Sequence, residues 1–186
     1  EEKKPDYIKN TSYVTSILED AEGSLWIGTL FGLYRLNLSH ADVYNVTLYV
    51  KDNQPGSIGS YAIETIHKDL KNNIWIGTSD NGLAMLPYRG TAFKSIQKQD
   101  GLASNTIRGI LTDSAGTMWI SSNMGLSKYD PLTNSSRNYT KEDGLPSNEF
   151  GGHACMQGTD GRFYFGSNNG LVSFYPDSIQ HNPIKP

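Results

Sequence analysis

At 186 residues the chain is long enough for one domain with a sizeable core. A net charge of −3, with no cluster of lysines and arginines, argues against nucleic acid as a partner, and no apolar run reaches membrane-spanning length, so direct membrane insertion is not expected. Apolar content of 37%, aromatic content of 11% and 19 glycines suit a turn-rich all-β protein, and the single cysteine, Cys155, excludes an intrachain disulfide.

The chain opens on Glu1-Glu2-Lys3-Lys4-Pro5, which reads as a cut within a longer protein. Residues 1–12 are expected to be a linker or the end of a preceding blade, with Tyr7–Asn10 able to form an outer strand. Short apolar segments then predict strands at Val14–Leu18, Leu25–Thr29, Leu33–Leu36 and Val43–Val50. After a polar connection from Lys51 to Ser60 the pattern returns as Ala62–His67, Ile74–Thr78, Leu83–Leu86 and Ala92–Gln97. It returns again as Thr106–Leu111, Met118–Ser121, Leu126–Tyr129 and Ser136–Tyr139, and last as Gly152–Gln157, Phe163–Gly166 and Leu171–Phe174. A fourth strand of this last set has only Ser178–His181 as a candidate. Cys155 falls on an inner strand and reads as a small buried hydrophobe. Helical periodicity is absent, and the Pro-rich residues 178–186 read as a linker to a following domain.

One stretch recurs through these segments. Its aromatic anchors are Trp26, Trp75, Trp119 and Tyr164, spaced by 49, 44 and 45 residues. Three residues before each anchor stand Gly23, Asn72, Gly116 and Gly161, a choice that predicts a left-handed backbone in a tight hairpin turn. Asp20, Asp69 and Asp113 open three of these turns and can accept bonds from amides across them; Gly158 takes that place in the fourth. The strand after each turn is apolar on both faces, so it is expected to lie between neighbouring sheets, with Trp26, Trp75 and Trp119 buried there. A period in this range with four strands per repeat predicts a β-propeller, with repeats at 13–50, 61–97, 105–140 and 148–177. About four blades is the low end for closed rings, so the chain either closes with Tyr7–Asn10 as the missing strand or leaves two blade faces for neighbours, as in a larger ring or a homodimer.

The tandem pattern Asp-x-x-Gly-x-Leu-Trp-Ile-Gly-Thr, then Gly-Leu, then Asp143-Gly144-Leu145-Pro146-Ser147-Asn148, resembles the two-component regulator propeller repeat over residues 11–177. The last copy, with Asn148-Glu149-Phe150, Asp160-Gly161-Arg162-Phe163 and Phe174-Tyr175-Pro176, is similar to that family's terminal repeat. The resemblance implies the periplasmic sensor region of a Bacteroides-type hybrid two-component system, in which a seven-bladed ring is followed by a β-sandwich, a membrane span, a histidine kinase and a response regulator. It implies an oligosaccharide or other small ligand and the rest of the parent sensor as partners.

No catalytic set stands out. His40, His67, His153 and His181 are scattered without metal-ligand spacing, and no cofactor, metal site or catalytic residue is expected. Antiparallel order places the loops between second and third strands on the same face as the connections between blades. That face gathers Phe31, Asp80, Asn81, Asn123, Asn168 and Asn169 with Arg108, Asn148, Glu149 and His153, a mixture of amides, charges and rings suited to a sugar. Asparagine also serves turns for its own sake, so Phe31, Arg108, Glu149 and His153 are the candidates least explained by turn formation. Two other functions fit such a fold: a glycan lyase or hydrolase, or a protein-interaction scaffold.

Overall fold

A computed structural model describes residues 13–37, 45–52 and 54–179. Blade one consists of β1 (Val14–Glu19), β2 (Leu25–Thr29), β3 (Gly32–Asn37) and β4 (Asn45–Tyr49). Blade two has β5 (Ile63–Lys68), β6 (Ile74–Thr78), β7 (Leu83–Leu86) and β8 (Lys94–Ile96). Blade three has β9 (Ile107–Thr112), β10 (Met118–Ser122), β11 (Gly125–Asp130) and β12 (Ser135–Tyr139), and blade four β13 (Phe150–Gln157), β14 (Phe163–Ser167) and β15 (Gly170–Phe174). Every sheet is an antiparallel meander in chain order. The first strands of successive blades pack side by side, β1 on β5, β5 on β9 and β9 on β13.

The hairpin turns form as their residues dictate. Gly23, Asn72, Gly116 and Gly161 all take positive φ, from 63° to 87°. Asp20 Oδ1 accepts the amides of Glu22 and Ser24, Asp69 Oδ1 those of Lys71 and Asn73, and Asp113 Oδ1 those of Ala115 and Thr117. The other carboxylate oxygen reaches further than the sequence reading foresaw. It takes the indole N–H of the anchor tryptophan, at 2.8 Å for Asp20–Trp26 and Asp69–Trp75 and 3.3 Å for Asp113–Trp119.

Three apolar cores lie between blades. Trp26 packs with Ile58, Ile63, Ile66, Ile76 and Phe93 of the second blade and its approach. Trp75 packs with Leu102, Ile107, Ile110 and Ile120, and Trp119 with Phe150, Phe163 and Phe165. The three indoles are 1–2% exposed, so each is shared by two sheets. Among the described residues the two end faces lack such cover. On blade one the cross-strand row Ile17–Ile27–Tyr34–Leu48 points away from blade two, and Ile17 is 65% exposed. The corresponding row of blade two, Ile66–Ile76–Ala84, is what docks against blade one. Blade four turns Met156 (58% exposed) and Leu171 (64%) outward at the opposite end.

One expectation needs correction. Blade four has no fourth strand among the described residues: Ser178 ends a 3₁₀ turn, Pro176–Ser178, whose proline favours helical φ over strand pairing. The rest of that candidate, and Tyr7–Asn10, lie outside the described residues. Short 3₁₀ turns also occupy the connections at Lys98–Asp100 and Lys141–Asp143, each closed by a reciprocal capping box and a left-handed glycine, Gly101 or Gly144.

Truncating one shared indole removes its packing against two sheets and leaves a buried carboxylate oxygen without its partner. Trp119→Ala is expected to cost about 3–5 kcal/mol in denaturant unfolding.

Candidate functional site

The first strand of each blade carries a bulge at the same place. In β1 it falls between Val14 and Ser16, in β5 between Ile63 and Thr65, and in β9 between Ile107 and Gly109. The residues thereby left out of register are Thr15, Glu64 and Arg108, because a bulge frees one side chain from the pleat and re-aims it. Thr15 is used locally, its hydroxyl donating to the Ile63 carbonyl at 2.7 Å. Glu64 and Arg108 meet across the adjacent first strands, with guanidinium and carboxylate 3.2 Å apart and both side chains partly buried. In β13 the bulge widens to Gly151–Ala154, opposite the single residue Gly166. Gly152 there approaches the same carboxylate: a Cβ on it would lie 3.7 Å from Glu64 Oε2. Blades two, three and four therefore converge on one charged pair. His153 follows, exposed and held at φ 59°, a conformation a non-glycine residue adopts at some cost.

The connections and the β2–β3-type loops meet on this face, as antiparallel order requires. The Ser60 hydroxyl donates to Asp80, and that of Ser104 to Asn123 at 2.6 Å. In blade four the Asn168 amide donates to the Glu149 carbonyl at 3.1 Å, and the Asn169 side chain reaches the Pro146 carbonyl at 3.5 Å. Asn81 accepts from the Gln97 side chain, and Asn148 accepts the Lys141 amide at 2.7 Å, as Asn105 does that of Lys98. Asp80, Asn123, Asn148 and Asn169 thus each spend one polar side-chain atom on holding the loops, and Asn81 spends both. Phe31, Glu149, His153 and Asn168 keep exposed side chains. Phe31 stands on blade one, and the other three on blade four beside the wide bulge.

Glu64 is the residue the sequence reading missed. Its signal was present: it holds the repeat position of Arg108 with the opposite charge, directly after the apolar Ile63 as Arg108 follows Ile107. Among the described residues no group of three or more His, Cys, Asp or Glu gathers in metal-binding fashion. Cys155 packs against Gly109, where a Cβ would come within 2.5 Å of its sulfur, and burial raises its thiol pKa. His67 is a structural histidine, Nε2 lying 2.7 Å from the Thr112 hydroxyl of the next blade. Burial pushes its pKa down to about 4, against a smaller opposing pull from Asp69.

Four radially arranged antiparallel meanders, with first strands side by side and apolar cores between sheets, define an arc of a β-propeller. Residues 8–31 and 101–124 match the two-component regulator propeller repeat. It is 32% identical over 181 residues to histidine kinase P4 of Formosa agariphila, covering 97% of this chain and 13% of that protein. It superimposes with a TM-score of 0.75 and 28% identity on the extracellular domain of a protein assigned as a hybrid two-component system of B. thetaiotaomicron, covering 94% of this chain and 24% of that one. A virginiamycin B lyase from Staphylococcus aureus shares the fold at 14% identity, with a TM-score of 0.63 over 92% of this chain and 58% of the lyase. The chain thus spans a small part of the length of the two-component relatives.

His67 stays neutral in the folded chain down to about pH 4, whereas an unfolded histidine takes up its proton near 6.5. Between these values the unfolded state binds more protons, so its contribution is complete above pH 6.5 and falls as the pH drops toward 4. The loss is expected to reach about 2–3 kcal/mol. Urea unfolding at pH 7.5 and pH 4.5 should show it, and His67→Gln should flatten the difference.

Proposed function

We propose that this arc belongs to the extracytoplasmic, periplasmic sensor of a hybrid two-component signalling protein, contributes contacts to an oligosaccharide and catalyses nothing itself. The observation that carries the reading is the likeness to the extracellular domain of a two-component system over 94% of this chain. The histidine kinase relative supports the same signalling context. The face holding the Glu64–Arg108 pair supports the ligand class. A partly buried guanidinium and carboxylate can exchange one another for sugar hydroxyls, and Phe31 offers an exposed ring for an apolar sugar face. Glu149 and Asn168 add free polar groups at the rim. The wide glycine bulge of β13 gives a ligand close approach to the backbone. Signalling then requires that the ligand favour one arrangement of the parent over another, since it shifts an equilibrium only by its differential affinity.

Titration calorimetry of the full-length ectodomain with glycan fragments tests this. Arg108→Ala and Glu149→Ala are each expected to weaken binding about tenfold or more, as loss of a hydrogen bond to a charged group costs about 1.5–3 kcal/mol. A sugar bound with unchanged affinity by both variants removes the site; cleavage of that sugar removes the non-catalytic reading.

The end faces are proposed to receive further blades of the parent protein. The Ile17–Leu48 row repeats the row that blade two buries, and blade four presents the opposite kind of face. The chain by itself is therefore expected to self-associate in light scattering. Ile17→Glu with Leu48→Glu should render it monomeric.

A further inference from the structure

The three wedges between blades are not filled alike at their outer rim. In blade one Arg35 stands opposite Trp26 and lies 5.1 Å over its ring, while Tyr49 stacks on it at 5.8 Å. In blade three Lys128 lies 5.2 Å from the Trp119 ring, and Tyr139 stacks on it, also at 5.8 Å. Blade two breaks both rules. By register Met85 holds the place of the cation and Ile96 that of the tyrosine. The space between blades one and two is reduced to about 30 Å³, since Arg35 also pairs with Asp20 and Glu22, and Glu22 with Arg89. Between blades two and three a groove of about 430 Å³ remains. It opens among the turns at Asp69–Asn73, Ala115–Gly116 and Pro131–Asn134. These lie at the opposite end of the sheets from the face of the Glu64–Arg108 pair.

The lining says what the groove can take. Its walls are Trp75, Tyr129, Met85 and Ile96, with Leu70 and Leu132 as exposed lips. Its floor offers few free polar atoms. Asp69 is consumed by Trp75 and the turn amides, Asn73 by Asp69 and the Tyr88 amide, and the Tyr129 hydroxyl by Asn134. A sugar would therefore find its hydroxyls unanswered there. At the rim stand Lys94 and Lys71; neither makes an ion pair among the described residues, and Lys71 is within electrostatic reach of Asp130. A slot with these apolar walls and Lys94 on its exposed edge strand beside Ile96 fits a flat hydrophobic body carrying an anionic group.

We infer that the groove between blades two and three binds small aromatic acids, with the ring against Trp75 and Ile96 and the carboxylate at Lys94. The site is separate from the oligosaccharide reading and does not depend on it. Its volume falls in the range of small-molecule sites. The ring would occupy the space that Tyr49 and Tyr139 fill in the neighbouring blades.

The test is a titration of the chain with indole-3-acetate, indole and maltotriose, read from the indole N–H resonances of the three tryptophans. Indole-3-acetate is expected to move the Trp75 resonance with a Kd on the order of 1 mM or tighter, leaving Trp26 and Trp119 in place. Lys94→Ala should weaken the acid about tenfold and leave indole unchanged, as expected for loss of one charged contact. Ile96→Tyr, which restores the ring found in the other blades, should abolish both. No shift at Trp75, tighter binding of maltotriose there, or equal affinity of wild type and Lys94→Ala for the acid overturns the proposal. Lys94 lies on the exposed β8, so its variant decides the matter even where Ile96→Tyr fails to fold.

Discussion

One carboxylate ties each of the first three blades together. Its inner oxygen accepts two turn amides and so fixes the hairpin between first and second strands. Its outer oxygen accepts the indole N–H of the residue six further on. Without it, burying that indole between two sheets would leave a donor unpaired. The same bond sets the side-chain direction of the tryptophan, which then forms the floor of the core shared with the next blade. Turn, rotamer and interblade packing thus depend on a single side chain. Blade four shows the coupling by losing both partners at once. Gly158 replaces the aspartate and Tyr164 the tryptophan; the backbone bonds of the turn persist, and Asp160 within it accepts the Arg162 amide and the Tyr175 hydroxyl instead.

Around this repeated frame, the informative positions are the departures. The frame keeps an apolar residue just before the bulge in each first strand: Val14, Ile63, Ile107 or Phe150. It places no demand on the bulged residue itself, which lies out of register. That freedom is used for Glu64 and Arg108, and in blade four for a longer bulge of small residues. At the outer rim the frame tolerates Met85 and Ile96 in place of a cation and a tyrosine because Tyr129 of the next blade still meets Trp75, with ring centres 6.0 Å apart. The fold remains closed over the indole while a groove opens beside it.

What the sequence by itself determined is the local and periodic part. Glycine or asparagine before each anchor specified a left-handed turn, short apolar segments specified the strands, and the spacing of Trp26, Trp75, Trp119 and Tyr164 specified four stacked sheets. These follow from near neighbours in the chain, so the residues alone suffice. What only the tertiary structure decided is which polar side chains remain free. Asn81, Asn123 and Asn148 look like ligand-binding amides in sequence, and the carbonyl oxygen of each is taken by a loop that the fold brings to it. Glu64 looked like an ordinary strand residue until Arg108, 44 positions later, was placed against it. The 3₁₀ turn at Pro176–Ser178 and the groove beside Trp75 belong to the same class. Such outcomes depend on pairs of residues far apart in the chain, whose meeting is set by sheet register and by the packing of one blade on the next, and no local pattern carries that information.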